Sequence, residues 1–243
     1  MQQGDRIQRT NVAVQAGVVP LEGYLACPET AEAIVLFAHG SGSSRHSPRN
    51  RHVADTLNRA GFATLLCDLL TPDEARLDMW TREVRFNIGL LAQRLTGAVD
   101  WVSREASTQA LRIGLFGAST GAAAALITAT QRPAAVGAVV SRGGRPDLAG
   151  DSVAQVKAPT LLIVGGEDTP VMALHRTASA ALRVEHRLAI IPGATHLFAE
   201  PGALDAVAQL AYDWFAHHLL GAPLSAALTR YDATPSSEAA HTL

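Results

Sequence analysis

A serine flanked by glycines stands near the centre of the chain, in the pentapeptide Gly117-Ala118-Ser119-Thr120-Gly121. A mostly apolar run, Leu111–Phe116, precedes it, and an alanine-rich run, Ala122–Ala129, follows it. This order predicts a strand, a tight turn and a helix, which is the setting of a nucleophile elbow that exposes a serine hydroxyl above a sheet. Ser119 is therefore a candidate nucleophile, and the positive end of the following helix would stabilise an anion that forms there.

Two further side chains supply what a serine needs to act as a nucleophile. Asp168 follows the apolar run Leu161–Val164, and His196 follows the run Leu188–Ile191, so both stand in loops after predicted strands. A histidine removes the serine proton, and a carboxylate fixes the tautomer of that histidine and stabilises its charged form. The chain order predicts a triad of Ser119 as nucleophile, Asp168 as orienting acid and His196 as base.

Each partner of the serine also has a purely structural interpretation. Asp168 precedes Pro170 and has the residue type of a helix N-cap, while His196 could be a packed loop residue. The acid also has two alternatives, namely the neighbouring Glu167 and Asp147, which follows the preceding predicted strand. The occurrence of all three residue types in the expected order and after strands favours the triad.

The glycine-rich loop after the apolar run Ala33–Ala38 is the candidate oxyanion hole. An oxyanion hole needs two N–H groups aimed at the oxygen that becomes negative. One donor is expected to be the backbone amide of Thr120, and the other the amide of Ser41, with Gly42 as the next candidate. His39 opens this loop, and we expect it to brace the backbone rather than to act as a second base.

Basic residues follow two of the predicted strands and form the candidate substrate-binding set. Arg45 lies in the loop after the oxyanion segment, and Arg142 and Arg145 follow the strand after the elbow helix. Guanidinium groups that met over the site would favour an anionic substrate. The alternative interpretation is that these arginines are solvated or form ordinary salt bridges.

Strands and helices alternate along the chain, which predicts a mostly parallel sheet of about eight strands with helices on both faces. The first two strands, Thr10–Val14 and Val19–Ala26, are expected to form an antiparallel hairpin. Thr71–Met79 is predicted to be a polar loop, followed by a long amphipathic helix from about Thr81 to Arg104. Loops that follow parallel strands share one edge of a sheet, which would bring the predicted triad together.

Composition narrows the range of functions. The chain has 243 residues, a net charge of −2 and two cysteines, which predicts no nucleic-acid or membrane partner, no disulfide framework and a cytoplasmic location. Residues 1–221 are predicted to form one domain and residues 222–243 a C-terminal tail. No metal site and no cofactor are expected, because nucleotide-binding and H-E-x-x-H patterns are absent from the sequence and the adjacent His217 and His218 should point in different directions.

The chain resembles the α/β-hydrolase superfamily, and within it the dienelactone hydrolase-like branch. The resemblance rests on the segments His39–Ser44, Gly117–Gly121, Val164–Asp168 and Pro192–Phe198. It implies an α/β-hydrolase fold, and the short segment between Val140 and Pro159 leaves little room for a large cap domain. The stretch 141–147 is similar to that of hydrolases found beside or fused to phosphoribosyltransferase domains.

The elbow departs from the pattern of true dienelactone hydrolases, which use a cysteine nucleophile where this chain has Ser119. This difference argues against dienelactone turnover and favours hydrolysis of small carboxylic esters through an acyl-enzyme. A thioesterase, amidase or acyltransferase with the same triad remains an alternative, as does a hydrolase-fold binding protein without catalysis. The expected partner is a small-molecule ester, and a homo-oligomer remains possible.

Overall fold

One sheet runs through the molecule, and its strands come from the whole length of the chain. The computed structural model describes residues 6–234. In this part of the chain the strands are β1 (Ile7–Ala16), β2 (Val19–Pro28), β3 (Ala33–Ala38), β4 (Ala63–Cys67), β5 (Arg112–Ala118), β6 (Val136–Arg142), β7 (Thr160–Gly165) and β8 (His186–Ile191). The helices are α1 (Pro48–Arg59), α2 (Pro72–Thr81), α3 (Ile88–Val102), α4 (Thr120–Gln131), α5 (Thr169–Ala181), α6 (Ala203–Leu220) and α7 (Ala226–Arg230), with 3₁₀ helices at Val84–Phe86 and Pro146–Gln155.

The strand order is β1-β2-β4-β3-β5-β6-β7-β8. β3 to β8 are parallel, whereas β1 and β2 form an antiparallel hairpin that joins the sheet through β4. The prediction of an α/β-hydrolase fold with an eight-stranded, mostly parallel sheet is confirmed, and residues 6–234 contain no large cap domain. None of the helices in the described part of the chain has the length and apolar character that crossing a bilayer requires.

Two hydrophobic layers cover the sheet, because its central strands are apolar on both faces. In β3, Ile34 and Leu36 pack towards one layer, which α3 and α4 complete. The alternate residues Val35 and Phe37 pack towards the other layer, with α1 and α6. Side chains on a strand point alternately to opposite faces, so a continuous apolar run is what a strand between two helical layers requires.

The segment between β4 and α3 differs from the prediction of a polar loop and one long helix. A capping box starts α2: the Thr71 hydroxyl accepts from the Glu74 N–H, and the Glu74 carboxylate accepts from the Thr71 N–H. This helix ends at Arg82, which adopts a left-handed conformation with φ 56°. The α3 helix then starts later than expected, capped by the Asn87 side chain. The prediction was wrong here because it followed apolar spacing and overlooked the capping pattern.

The predicted C-terminal tail packs on the domain at least as far as residue 234. α7 contacts α6, and Asp232 forms a β-bridge with Ala189 of β8 and an ion pair with Arg187. The Ile190 N–H donates to the Tyr231 carbonyl at 3.0 Å. Residues 231–233 therefore pair with the edge strand β8, after α7 has packed on α6, and residues 235–243 lie outside the described part of the chain.

Candidate active site

The chain reverses direction at Ser119, between β5 and α4. β5 ends at Ala118 and α4 begins at Thr120, and Ser119 between them has φ 50° and ψ −121°. A residue other than glycine in such a region is strained by about 1–3 kcal/mol, so its surroundings must hold it there. The Ser119 N–H donates to the Arg142 carbonyl (3.3 Å), and the Ser119 carbonyl accepts from the Arg145 N–H (3.0 Å). This is the strand–turn–helix geometry that the pentapeptide predicts.

The two glycines of the pentapeptide allow the elbow to pack closely against its neighbours. A Cβ at Gly121 would lie 2.2 Å from the carbonyl oxygen of Ala38 at the end of β3. A Cβ at Gly117 would lie 2.4 Å from the Cα of Ala122 in α4. Neither position has room for a side chain, which explains why the sequence has glycine on both sides of Ser119.

Asp168 and His196 meet in the structure. The His196 Nδ1 lies 2.7 Å from the Asp168 Oδ2, and only 11% of the Asp168 side chain is exposed. Asp168 occupies the N-cap position of α5, but its side chain makes no capping hydrogen bond. The Asp168 side chain therefore does not cap α5. With Nδ1–H donating to the carboxylate, Nε2 of His196 is the nitrogen available to accept a proton.

The two alternative acids are placed elsewhere. Glu167 is exposed, and the Asp147 carboxylate binds the Arg145 guanidinium through two bonds of 2.8 and 2.7 Å. The hydrogen bond to Arg145 also lowers the pKa of Asp147. The acid that contacts His196 is thus Asp168.

The loop after β3 lies directly against Ser119. A Cβ at Gly40 would be only 3.0 Å from the Cβ of Ser119. The Ser41 Oγ and the Thr120 Oγ1 are hydrogen-bonded at 3.0 Å, so the residues that carry the two predicted oxyanion donors are in direct contact. The Thr120 N–H is at the first position of α4, where no intrahelical partner exists. Gly42 follows with φ 69° and lies against the Arg85 guanidinium.

His39 braces this loop, as its position suggested. Its Nε2 accepts from the Leu69 N–H and its Nδ1–H donates to the Gly40 carbonyl, both at 3.0 Å. Burial lowers the pKa of His39, so the neutral imidazole is favoured, and this form alone can accept from Leu69. His39 connects β3, the oxyanion loop and the segment after β4.

The structure separates the three candidate substrate-binding arginines. Arg45 forms ion pairs with Asp68 and Glu22, and Arg145 is bound to Asp147. Arg142 is 7% exposed and lines a cavity of about 240 Å³ together with Ser119 and His196. Arg145 contacts Ser119 through its backbone, and of the three arginines only Arg142 lines the cavity of the predicted nucleophile.

Several residues of this cavity were not identified from the sequence, and two of them carry large polar side chains. Arg49 and Asn50, in the first turn of α1, line it with Gly40, Ser41 and Arg142. The signal in the sequence was the basic segment 44–51, but the spacing alone did not show which arginine would face inward. Tertiary packing of α1 decides this point.

A buried histidine lies behind the triad acid. His175 in α5 is completely buried, and its Nδ1–H donates to the Val171 carbonyl at 2.9 Å. Burial lowers the pKa of His175, which the negative charge of Asp168 partly offsets. His175 is thus a neutral neighbour of Asp168.

A second cavity of about 360 Å³ adjoins the first at the oxyanion loop. It shares Gly40, Ser41 and Ser43 with the cavity of Ser119. Apolar side chains from α2 and the neighbouring segments form part of its wall, namely Leu70, Pro72, Ala75, Met79 and Leu91. Charged residues form another part, namely Glu22, Asp68, Arg76, Asp78 and Arg85. The site therefore joins a compartment lined by cationic and polar residues to one lined by both apolar and charged side chains.

At the opposite end of the sheet, His217 and His218 do not point apart as the sequence suggested. Their potential ligand atoms and a carboxylate oxygen of Glu185 all lie within 4.8 Å of one another. Glu185 precedes β8, whereas His196 follows it. These residues have the donor types of a metal site but lie far from the triad along β8.

Comparison with known proteins supports the fold and identifies the family. The model of the dienelactone hydrolase family matches residues 21–219. The crystal structure of a dienelactone hydrolase from Anabaena variabilis is 60% identical, with a TM-score of 0.87, and the match covers 88% of this chain and 99% of that one. Est1E from Butyrivibrio proteoclasticus is 16% identical with a TM-score of 0.70, over 88% of this chain and 99% of that one, and shows the fold alone.

Proteins from two strains of Mycobacterium tuberculosis are 57% identical to this chain over 210 residues. Their names assign them provisionally to the phosphoribosyl transferases. The match covers 86% of this chain but only 46% of those proteins, so the chain spans about half the length of these relatives.

Proposed function

Because the chain belongs to the dienelactone hydrolase family, we propose that it is a serine hydrolase that cleaves carboxylic esters through an acyl-enzyme. The observation that carries the proposal is the 2.7 Å contact between His196 Nδ1 and Asp168 Oδ2, beside the cavity that holds Ser119. This contact leaves His196 Nε2 free to act as the base, and His196 and the strained Ser119 line the same cavity.

The reaction proceeds in two halves. The Ser119 hydroxyl oxygen attacks the ester carbonyl carbon, while His196 Nε2 accepts the hydroxyl proton. The amides of Thr120 and Ser41, with Gly42 as the alternative to Ser41, bind the negative oxygen of the tetrahedral intermediate. Its collapse breaks the bond to the alcohol, which leaves with the proton from His196. Water then gives a proton to His196 and attacks the acyl group, and the acid leaves as the proton returns to Ser119.

The cysteine chemistry of the family has no counterpart near the triad. Cys27 lies in β2 and Cys67 at the end of β4, and neither lines the cavity of Ser119. Burial raises the pKa of both thiols, which disfavours the nucleophilic thiolate. This distribution supports a serine mechanism and ester substrates rather than dienelactones.

The proposed substrate is a small-molecule ester. The cavity of about 360 Å³ beside the oxyanion loop is large enough for an acyl or alcohol group of moderate size, and its apolar side chains offer such a group hydrophobic contacts. Thioesters, amides and acyl transfer use the same triad and are the alternatives to test. We do not transfer the name of the M. tuberculosis relatives, because the segment that they share with this chain overlaps the one that the hydrolase family model covers.

Hydrolysis of p-nitrophenyl acetate by the wild-type chain and by Ser119→Ala tests the proposal. The wild type should release p-nitrophenol, whereas Ser119→Ala should lose turnover and keep its far-UV circular dichroism spectrum. Unchanged turnover in the variant would remove Ser119 from the mechanism. A folded wild type that is inactive on this ester and on a panel of thioesters and amides would favour the binding-protein alternative.

A further inference from the structure

The cavity of Ser119 contains cationic side chains without acidic partners. Arg142 is 7% exposed, and its Nε and Nη1 atoms are buried with no hydrogen-bond partner. The Nε of Arg49 is also buried without a hydrogen-bond partner. No aspartate or glutamate belongs to the wall of this cavity, which the described residues form. Unpaired guanidinium donors in a buried site are costly unless a ligand satisfies them.

The positive charges of Arg49 and Arg142 lie close enough to affect each other. The positive charge of Arg49 adds to burial in lowering the pKa of Arg142 to about 10. Arg142 still carries its charge at neutral pH, and its guanidinium lies 5.8 Å from the centroid of the Phe198 ring. Two neighbouring cations repel, so a ligand that places an anion between them relieves the repulsion.

The start of α1 strengthens this region of positive potential. Ser47 caps a helix of 12 residues, and Ser47, Arg49 and Asn50 of its first turn line the cavity. The positive end of the helix dipole therefore points towards the same space as the arginines. The buried Asn50 Oδ1 has no partner either, and rotation of the amide would present N–H groups to the cavity instead.

From this arrangement we propose that Arg142 and Arg49 bind an anionic group of the substrate, a carboxylate or a phosphate, beside the ester that Ser119 attacks. The inference rests on the proposed ester hydrolysis and names the substrate class of the same site. A cavity of about 240 Å³ is only about 8 Å across if spherical. The anion and the scissile carbonyl are therefore separated by a short linker of two or three carbons.

The contrast with the other arginines shows what is specific to this pair. Arg145 lies three residues from Arg142 but is fully engaged with Asp147 outside the cavity. Arg45 is neutralised by Asp68 and Glu22. Arg145→Met is thus a matched control for Arg142→Met, because the two residues lie three positions apart and only the Arg142 side chain is an unpaired cation in the wall of the cavity. The control keeps the Arg145 backbone N–H that donates to the Ser119 carbonyl.

Three esters that differ in one terminal group provide the kinetic test: methyl butanoate, monomethyl succinate and methyl 3-phosphonopropanoate, with methanol release as the readout. Wild-type kcat/KM should be about 10- to 100-fold higher for at least one anionic ester than for methyl butanoate, as expected for one or two charge-assisted hydrogen bonds. Comparison of the two anionic esters identifies carboxylate or phosphate as the preferred group.

The variants locate the effect. Arg142→Met and Arg49→Met should each lower the ratio of anionic to neutral kcat/KM about tenfold or more, mainly through KM, and Arg145→Met should leave the ratio unchanged. Equal ratios in the wild type and Arg49→Met, which changes a half-buried residue with little risk to folding, would overturn the role of Arg49. A wild-type ratio near one would overturn the whole subsite.

Binding to Ser119→Ala protein separates this proposal from the proposed ester hydrolysis. Succinate and 3-phosphonopropionate should raise the melting temperature of Ser119→Ala and less so that of the Ser119→Ala/Arg142→Met double variant, while butanamide should not. A melting-temperature shift without ester turnover in the wild type would retain the anion subsite and reject the esterase. Turnover of methyl butanoate, with no melting-temperature shift from the anions and no higher kcat/KM for the anionic esters, would retain the esterase and reject the anion subsite.

Discussion

Replacing His39 with glutamine tests the brace of the oxyanion loop and its dependence on a neutral imidazole. A glutamine side chain can place an acceptor close to the position of Nε2 and so keep the bond from the Leu69 N–H. The bond from Nδ1–H to the half-buried Gly40 carbonyl is lost. Loss of this single neutral hydrogen bond should lower the free energy of unfolding by about 1 kcal/mol at pH 7.5.

The pH dependence of stability gives the sharper result. Burial lowers the pKa of His39 from its ordinary value of 6.5, so the unfolded chain binds a proton at a higher pH than the folded protein does. The stability that the neutral His39 contributes is therefore fully present well above pH 6.5, and it is lost as the pH falls through 6.5 and below. Between pH 7.5 and 5.5 one such histidine removes up to about 1.4 kcal/mol, which is RT ln(1 + 10^(6.5 − pH)) evaluated for a group that stays neutral when folded.

Urea unfolding of the wild type and His39→Gln at pH 7.5, 6.5 and 5.5 measures this difference. The wild type should be more stable by about 1 kcal/mol at pH 7.5, and the variant should be equal or slightly more stable at pH 5.5. Burial also lowers the pKa of His175 and of His218, so both contribute to the pH slope of the wild type and the variant should keep part of that slope. Equal m-values would show that both proteins expose the same surface on unfolding. Parallel pH profiles for the two proteins would refute the neutral, buried state of His39.

The other predictions concern packing, capping and the triad. Gly121→Ala should destabilise the protein by about 3 kcal/mol or prevent folding, because a Cβ packed against rigid backbone has no room to move. The control is Gly89→Ala in α3, where a Cβ makes only a 3.7 Å contact, and this variant should unfold at the wild-type urea concentration or above. Equal losses of stability in both variants would contradict the elbow packing. Thr71→Ala removes the capping box of α2 and should lower the unfolding free energy by about 1 kcal/mol in the same assay; no change would mean that α2 does not depend on its cap. Asp168→Asn should reduce kcat for p-nitrophenyl acetate by about 10⁴-fold through the wrong tautomer of His196, whereas a loss below tenfold would assign the orienting role to another acid.

Residue type and chain order were enough to predict the turn at Ser119 and the proximity of Asp168 to His196. Glycines on both sides of Ser119 indicate a tight turn, and a histidine in the loop after β8 indicates a candidate base. These loops share one edge of the sheet because parallel strands end there. The structure accordingly brings Asp168 and His196 together. The parallel sheet was equally accessible, because continuous apolar runs identify strands buried on both faces.

The arginines could not be assigned from the sequence, because their roles depend on which acids lie nearby in space. Arg45 is paired with Asp68, 23 residues away, and only the position of β4 relative to the loop brings the two together. Arg49 and Arg142 face the cavity because α1 and the end of β6 meet there. Charge pairing across elements leaves no spacing pattern in the chain.

Active-site labelling tests the central claim most directly. A fluorophosphonate probe reacts with an activated serine hydroxyl, and intact-mass analysis counts the adducts. The wild-type chain should gain one adduct, which peptide mapping should place on Ser119, and folded Ser119→Ala should gain none. A folded wild type that stays unlabelled, or a Ser119→Ala variant labelled to the same extent, would contradict the assignment of Ser119 as the nucleophile.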